Sequence, residues 1–218
     1  MLIVARPTAL GASPAPSDTD APRVAPALIG PNAIIQVARV LTERLGDLRA
    51  EALVKEATGY TLATLPQHMV PEAEALALTT HVVGRLGEAP STVILHEAGV
   101  RTGDYLLANR IPRVAQWLIR AMPKRAGLSL LLQSMMAHAW TFAGSGTFTV
   151  RHLGHEVELT FHACAMCRGL AAEGPVCDFY AGTFERLVTT LVSRRARVRE
   201  VECHAHGGQC CRFRISDL

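Results

Sequence analysis

The sequence predicts an α+β domain, with a helical N-terminal half packed on an antiparallel sheet of four or more strands and a metal site near the C-terminal hairpin. Three observations predict it. Apolar residues recur at helical spacing from Pro31 towards Phe142. After Gly144-Ser145-Gly146 the period drops to two, and it does so again beyond one further helix. From Cys177 onwards cysteines gather beside a Glu-x2-Cys strand.

Taken in order, residues 1–26 are rich in Ala, Pro, Ser and Asp and read as a disordered leader, with 27–218 as a single domain. Pro31 opens a helix through Ile34, Val37, Ala38, Leu41 and Leu45, stopped by Gly46. A second helix runs from Leu48 to about Thr58. A third begins at Pro71, carries Ala75, Leu78, Val82 and Val83, and is expected to stop at Gly84. Residues 91–110 read as helix despite Gly99 and Gly103, whose i, i+4 spacing would let another backbone come close. Pro112 and Pro123 punctuate the next segments. Leu128 to Phe142 is apolar on most faces and reads as a central helix.

Phe148, Val150, Val157, Leu159 and Phe161 then alternate with Thr149, Arg151, Glu156, Glu158 and Thr160 on either side of Gly154, which is a β-hairpin pattern. Cys177 to Val192 returns to helical spacing. Residues 196–204 and 209–215 form a second hairpin, turning at Gly207-Gly208.

Composition bounds the function. The chain has 218 residues and a formal charge of +3, too small an excess to argue for nucleic acid. The basic run Arg194 to Arg199 reads as a solvated helix end. No stretch approaches a membrane span, and the apolar start meets Pro7 too soon for a signal peptide. The expected location is the cytoplasm, at most peripheral to a membrane. In that reducing compartment six cysteines favour metal binding over a disulfide framework.

Cys203 ends one strand of the second hairpin and Cys211 begins the next, so the turn brings them together. Glu200 lies three residues before Cys203, and a bulge or twist is needed to aim both side chains at one ion. Cys177 enters from the N-terminus of the preceding helix, where the helix dipole favours a thiolate. Three thiolates and one carboxylate make a closed tetrahedral set suited to structural zinc. Competing ligands lie close: Cys210, His204, His206 and the Cys164-x2-Cys167 pair, which ranks lower because no second CxxC completes a knuckle.

At these residues the chain resembles the vinyl-reductase (4-vinyl reductase, V4R) domain family over about residues 30–217. The family's C-terminal signature reads here as Cys177-Asp178-Phe179-Tyr180, then Glu200-Val201-Glu202-Cys203, Gly207-Gly208 and Cys211-Arg212-Phe213. The resemblance implies zinc at those four ligand positions, beside a small-molecule pocket. The strings at 93–112, 138–148 and 175–187 are similar to members that serve bacteriochlorophyll biosynthesis. They imply a protein that binds a magnesium porphyrin or chlorophyllide, with other pigment-biosynthesis enzymes as partners and the photosynthetic membrane nearby. Relatives often dimerise, so a homodimer is expected.

The family name implies reduction of a vinyl group on the ring. Such chemistry needs a bound hydride or electron donor. Gly144-Ser145-Gly146 lacks the third glycine of a dinucleotide fingerprint and precedes a strand, and no cysteine spacing matches a ferredoxin. A binding and delivery role is therefore preferred, the alternative being an 8-vinyl (4-vinyl) reductase of divinyl protochlorophyllide that uses an external reductant. A sensor domain is the third reading. For the ligand, the apolar segment supplies Met135, His138, Trp140 and Phe142. His138 could ligate magnesium, and Arg110 could hold a propionate. His96, His162, Arg101 and Arg113 are weaker candidates.

Overall fold

The computed structural model describes residues 25–218, and the leader expected at 1–26 lies outside that span but for Ala25 and Pro26. The chain runs through β1 (Leu28–Ile29), α1 (Asn32–Leu45), α2 (Asp47–Thr58), β2 (Val70–Pro71), α3 (Glu72–Leu86), α4 (Glu88–Asn109), α5 (Arg113–Ala121) and α6 (Lys124–Ala137). It continues through β3 (Thr147–Leu153), β4 (Glu156–His162), α7 (Asp178–Leu191), β5 (Arg197–Glu202) and β6 (Cys211–Ser216).

Both expected hairpins are present, and they join into one antiparallel sheet of order β3-β4-β6-β5. β4 and β6 are the central pair, in a register that sets Phe161 opposite Cys211 and Leu159 opposite Phe213. Alternation along these strands sends Leu159, Phe161, Phe213 and Ile215 into the core. There α7 lies across them: the rings of Phe161 and Tyr180 stack at 4.5 Å, and Phe184 lies parallel to Phe161 at 6.1 Å.

The far side of α7 packs on α4. A Cβ built on Gly99 would overlap the Phe179 carbonyl oxygen, and one on Gly182 would overlap that of His96. At Gly103 it would sit 2.7 Å from the Arg186 Cβ. The close approach read from the glycine spacing on α4 is thus real, and its partner is α7. Thr183 seals the crossing by donating its hydroxyl to the Gly99 carbonyl at 3.1 Å. On the outer face of α4, Arg44 of α1 donates to Glu97, and Arg101 bridges Glu97 and Glu43.

Two helix ends differ from the sequence reading. α3 passes through Gly84 and ends at Leu86, before Gly87 at φ +82°. An internal glycine costs a helix only about 1 kcal/mol, which two further residues of good pattern offset. α6 starts earlier and stops at Ala137. His138 is its C-cap, and Ala139–Thr141 form a 3₁₀ turn. Nor is the segment central on all sides: Leu128, Leu131, Leu132 and Met135 are buried while Met136 and Trp140 are exposed. An unbroken apolar run cannot distinguish a helix sunk in a core from one that also lines a cavity.

Candidate functional site

The second hairpin carries an irregularity in the β5–β6 pairing between Glu200 and Glu202. This is the bulge that aiming Glu200 and Cys203 at one point demands. The four donor atoms of Cys177, Glu200, Cys203 and Cys211 all lie within 4.8 Å of one another. The Cys177 and Cys211 sulfurs are 3.7 Å apart. With Zn–S bonds near 2.3 Å, a tetrahedral edge is about 3.8 Å, so the cluster has the size of one ion's shell. Glu200 accepts from the Cys177 backbone N–H at 2.9 Å through Oε2, while its Oε1 is buried without a partner. A cation is the missing partner that such an oxygen fits.

The structure also brings in the pair that the sequence ranked lower. Cys164 and Cys167 are fully buried and form a second four-donor group with the same Cys177 and Cys211. Cys164 lies 3.7 Å from Cys177, and Cys167 lies 3.3 Å from Cys211. The pair needs no second CxxC, because α7 and β6 each deliver one thiol to it. His204 and His206 turn to the Gly208 and Ala172 carbonyls, and Cys210 sits near the Arg212 guanidinium. None of the three belongs to either donor group.

Crowding splits the ionisation of the sulfurs. Hydrogen bonding from Cys167 holds Cys203 down to about 6, and hydrogen bonding from Cys164 does the same for Cys211. Cys177, pressed by Cys164 and Cys167, is pushed well up, against the expectation from the helix dipole. Burial, reinforced by the neighbouring Cys203, pushes the Glu200 carboxyl up to about 10. Such a cluster cannot carry four negative charges on its own, whereas a divalent cation makes the charged form favourable.

Beside this centre lies a cavity of about 1310 Å³, mostly apolar. Its lining includes all five residues proposed for a ligand: Arg110, Met135, His138, Trp140 and Phe142. His138 faces the Ser134 carbonyl through Nδ1 at 2.8 Å, so Nδ1 must carry the hydrogen and Nε2 keeps its lone pair in the neutral ring. Met166, inside the Cys164-x2-Cys167 turn, and Tyr180, in the first turn after Cys177, also line the cavity. The cysteine centre therefore anchors part of the cavity wall. The weaker candidates do not line it: His96 faces Glu185, Arg101 is held by Glu43 and Glu97, and His162 and Arg113 are exposed elsewhere.

The bacteriochlorophyll synthase 23 kDa chain of Rhodobacter capsulatus is 40% identical over 204 residues, covering 93% of this chain and 91% of that one. The protein of the same name from Cereibacter sphaeroides is 39% identical, covering 86% and 89%. The chain belongs to the bacteriochlorophyll synthase 23 kDa chain family. Within this family member, residues 157–217 match the V4R domain, a stretch that starts in β4 and holds all six cysteines and Glu200.

In fold, the family member is similar to an H-NOX protein from S. oneidensis in the Fe(II)NO state, with a TM-score of 0.52 at 11% identity over 85% of this chain and 97% of that one. A second H-NOX structure, from a study of heme distortion, gives 0.52 at 12% over 84% and 92%. The sequence reading missed the short sheet of β1 and β2, which lets the Gly30 N–H reach the Thr141 carbonyl at 2.7 Å and fixes the turn holding Trp140. Two-residue strands carry no periodicity to detect.

Proposed function

We propose that this chain is an accessory protein of bacteriochlorophyll biosynthesis that binds and delivers a magnesium porphyrin or chlorophyllide intermediate. In this reading a structural zinc ion is held by Cys177, Glu200, Cys203 and Cys211. The observation that carries it is the large, mostly apolar cavity, whose lining brings His138 and Arg110 together with Met135, Phe142 and Tyr180 and also includes His68 and Arg39. Ligand pockets commonly measure about 300–1,000 Å³, so this one has room for an unusually large, mostly apolar guest. The names of the relatives supply the pathway, and an H-NOX-like fold agrees with a tetrapyrrole-sized space.

The roles follow from chemistry. His138 presents Nε2, the atom that would hold a central magnesium. Arg110, with no carboxylate partner among the described residues, would pair with a propionate at the mouth. Met135, Phe142 and Tyr180 would pack on the macrocycle faces, and Trp140 would cover an edge. Zinc supplies no redox chemistry, so its part is to fix the turn carrying Met166 and the start of α7. The chain would work in the cytoplasm against the photosynthetic membrane, although no helix among the described residues is long and apolar enough to cross one.

The test is an absorbance titration of the purified, zinc-loaded chain with magnesium protoporphyrin and with divinyl protochlorophyllide, followed by NADPH. Saturable binding with the vinyl group left intact supports delivery. Multiple turnovers in that mixture would replace the carrier by the reductase, and absence of any binding would overturn both.

A further inference from the structure

α5 is built inside out. A surface helix ordinarily turns its apolar stripe to the core. Here the residues facing inward include Gln116, which is buried and donates to the Leu107 and Ile111 carbonyls at 2.6 and 2.8 Å. Facing outward are Val114, Trp117 and Leu118, at 77%, 68% and 46% exposure. Their i, i+3, i+4 spacing makes one continuous apolar ridge along the helix. Polar donors have been spent inside to keep Trp117 and Val114 outside.

The stretch of chain that carries the ridge is cationic. None of the chain's 19 acidic residues falls between Asp104 and Glu156, a stretch that holds Arg110, Arg113, Arg120, Lys124, Arg125 and Arg151. Only Arg151 of these six forms an ion pair among the described residues, with Glu158. Arg120 and Lys124 reach the Thr190 carbonyl and the Ser193 hydroxyl, and Arg125 meets His155. On the helical wheel Arg113 and Arg120 flank Trp117 on the side away from Leu118.

We infer that the outer face of α5, with Trp117 and Val114 at its crest and Arg113, Arg120, Lys124 and Arg125 around it, docks on an anionic lipid surface. An apolar ridge edged by arginines, with an exposed indole, is the composition of a helix that lies in a membrane interface. The charges that residues 105–155 bring to this face are all positive, so the complementary surface is anionic. A ridge of one nine-residue helix enters lipid headgroups without needing a shaped partner. α5 begins just after Arg110 and Ile111, both of which line the cavity, so docking would set the cavity mouth near the membrane. The inference gives a surface to the peripheral location proposed above, but it needs no bound pigment.

The experiment is flotation of the full-length zinc-loaded protein, without pigment, on vesicles of phosphatidylglycerol mixed with phosphatidylcholine. Pure phosphatidylcholine vesicles and about 1 M salt, where the screening length falls to about 3 Å, serve as controls. Binding to the anionic vesicles alone, lost in high salt, is expected. Each cation near such a surface is worth about fivefold in affinity, so R113Q/R120Q should bind about 25-fold more weakly. W117S should lose about tenfold or more, with its thermal unfolding unchanged because the side chain is already in water. The chain has two tryptophans, so in W140F the remaining indole reports directly: its emission should shift to the blue on anionic vesicles and be quenched by brominated lipid.

Failure to float on anionic vesicles would overturn the inference, as would unaltered flotation of R113Q/R120Q and W117S. If W117S instead converts a dimer to a monomer without changing flotation, the face is an interface between two copies and the lipid assignment falls. None of these readouts depends on pigment binding, so this inference and the tetrapyrrole reading can fail separately.

Discussion

Tyr180 donates its hydroxyl to the Phe142 carbonyl at 2.6 Å, tying the first turn of α7 to the loop that leaves α6. Both residues line the cavity, and Tyr180 stands three residues after Cys177. This one hydrogen bond therefore links the cysteine centre, the cavity wall and the aromatic core.

Tyr180→Phe keeps the ring and its stack on Phe161 but leaves the Phe142 carbonyl without its donor. Leaving a buried acceptor unmet costs about 1–3 kcal/mol, and for this partly buried carbonyl the lower end, about 1 kcal/mol, is expected. Urea unfolding should show a lower midpoint with an unchanged slope. A shift below about 0.5 kcal/mol would mean that water takes the place of the hydroxyl and that the bond does not clamp the wall.

The α4–α7 crossing predicts opposite outcomes for three chemically identical changes. Gly99→Ala and Gly182→Ala each place a methyl group on backbone atoms of the facing helix, and the helices must separate. Overpacking of this kind costs about 1–3 kcal/mol or more. Gly84→Ala, inside α3 with nothing within 4 Å of the new methyl, should instead stabilise by up to about 1 kcal/mol. Once one methyl has forced the helices apart, the second should cost less, so the double variant should be less destabilised than the sum. Additivity in calorimetry would show that the two glycines are not at one contact.

That crossing also shows what a single sequence can reveal. The spacing of Gly99 and Gly103 announced a close backbone approach, but no local pattern could say that the approaching helix lies some eighty residues later. The Glu200–Cys203 spacing announced a bulge for the same reason: a strand's period of two forbids both side chains from meeting one ion without it. Cys164 and Cys167 were undervalued because spacing rules look for a second pair nearby, whereas here the fold carries in Cys177 and Cys211 separately. The end of α6 was hidden because His138, Trp140 and Phe142 are as compatible with an apolar helix as with a cavity rim. The inverted burial of α5 was invisible to periodicity, which gives the direction of an apolar stripe relative to the helix and not relative to the core.

The two donor groups share Cys177 and Cys211, so substitutions elsewhere separate them. If the ion sits with Glu200 and Cys203, then Cys203→Ser should remove zinc and several kcal/mol of metal-derived stability, on the order of what closed sites supply. Cys164→Ser should then keep about one zinc per chain, and Cys210→Ser, outside both groups, should be mild. The reverse ranking of Cys164→Ser and Cys203→Ser, read by emission spectrometry and thermal unfolding, would move the ion to the Cys164–Cys167 side. Acid acts in a fixed direction: the ion binds deprotonated ligands, and in the metal-free cluster Cys203 and Cys211 also take up protons below about 6, so zinc affinity should fall as pH falls and fall more steeply below that region.

The cavity's chemistry turns on His138. Its Nδ1 is engaged by the Ser134 carbonyl, which orients the ring of this cavity-lining residue and leaves Nε2 without a hydrogen-bond partner among the described residues. If that atom holds magnesium, His138→Ala should shift the absorption bands of bound magnesium protoporphyrin and weaken its binding. The metal-free porphyrin, which offers the imidazole nothing to ligate, should bind both forms alike. Because His138 is exposed at the C-cap of α6, the substitution should cost the fold little, and unfolding curves with and without pigment make that separation measurable. Arg110→Gln should act differently. Loss of a propionate partner weakens magnesium and metal-free porphyrins together, by about tenfold for one charge-assisted pair, and leaves the band positions in place. Identical spectra and affinities for His138→Ala and the unaltered protein would remove the imidazole from the site while leaving the apolar cavity as the binding element. Loss of metal-free and magnesium porphyrin in equal measure would mean that His138 shapes the cavity mouth and does not reach the ion.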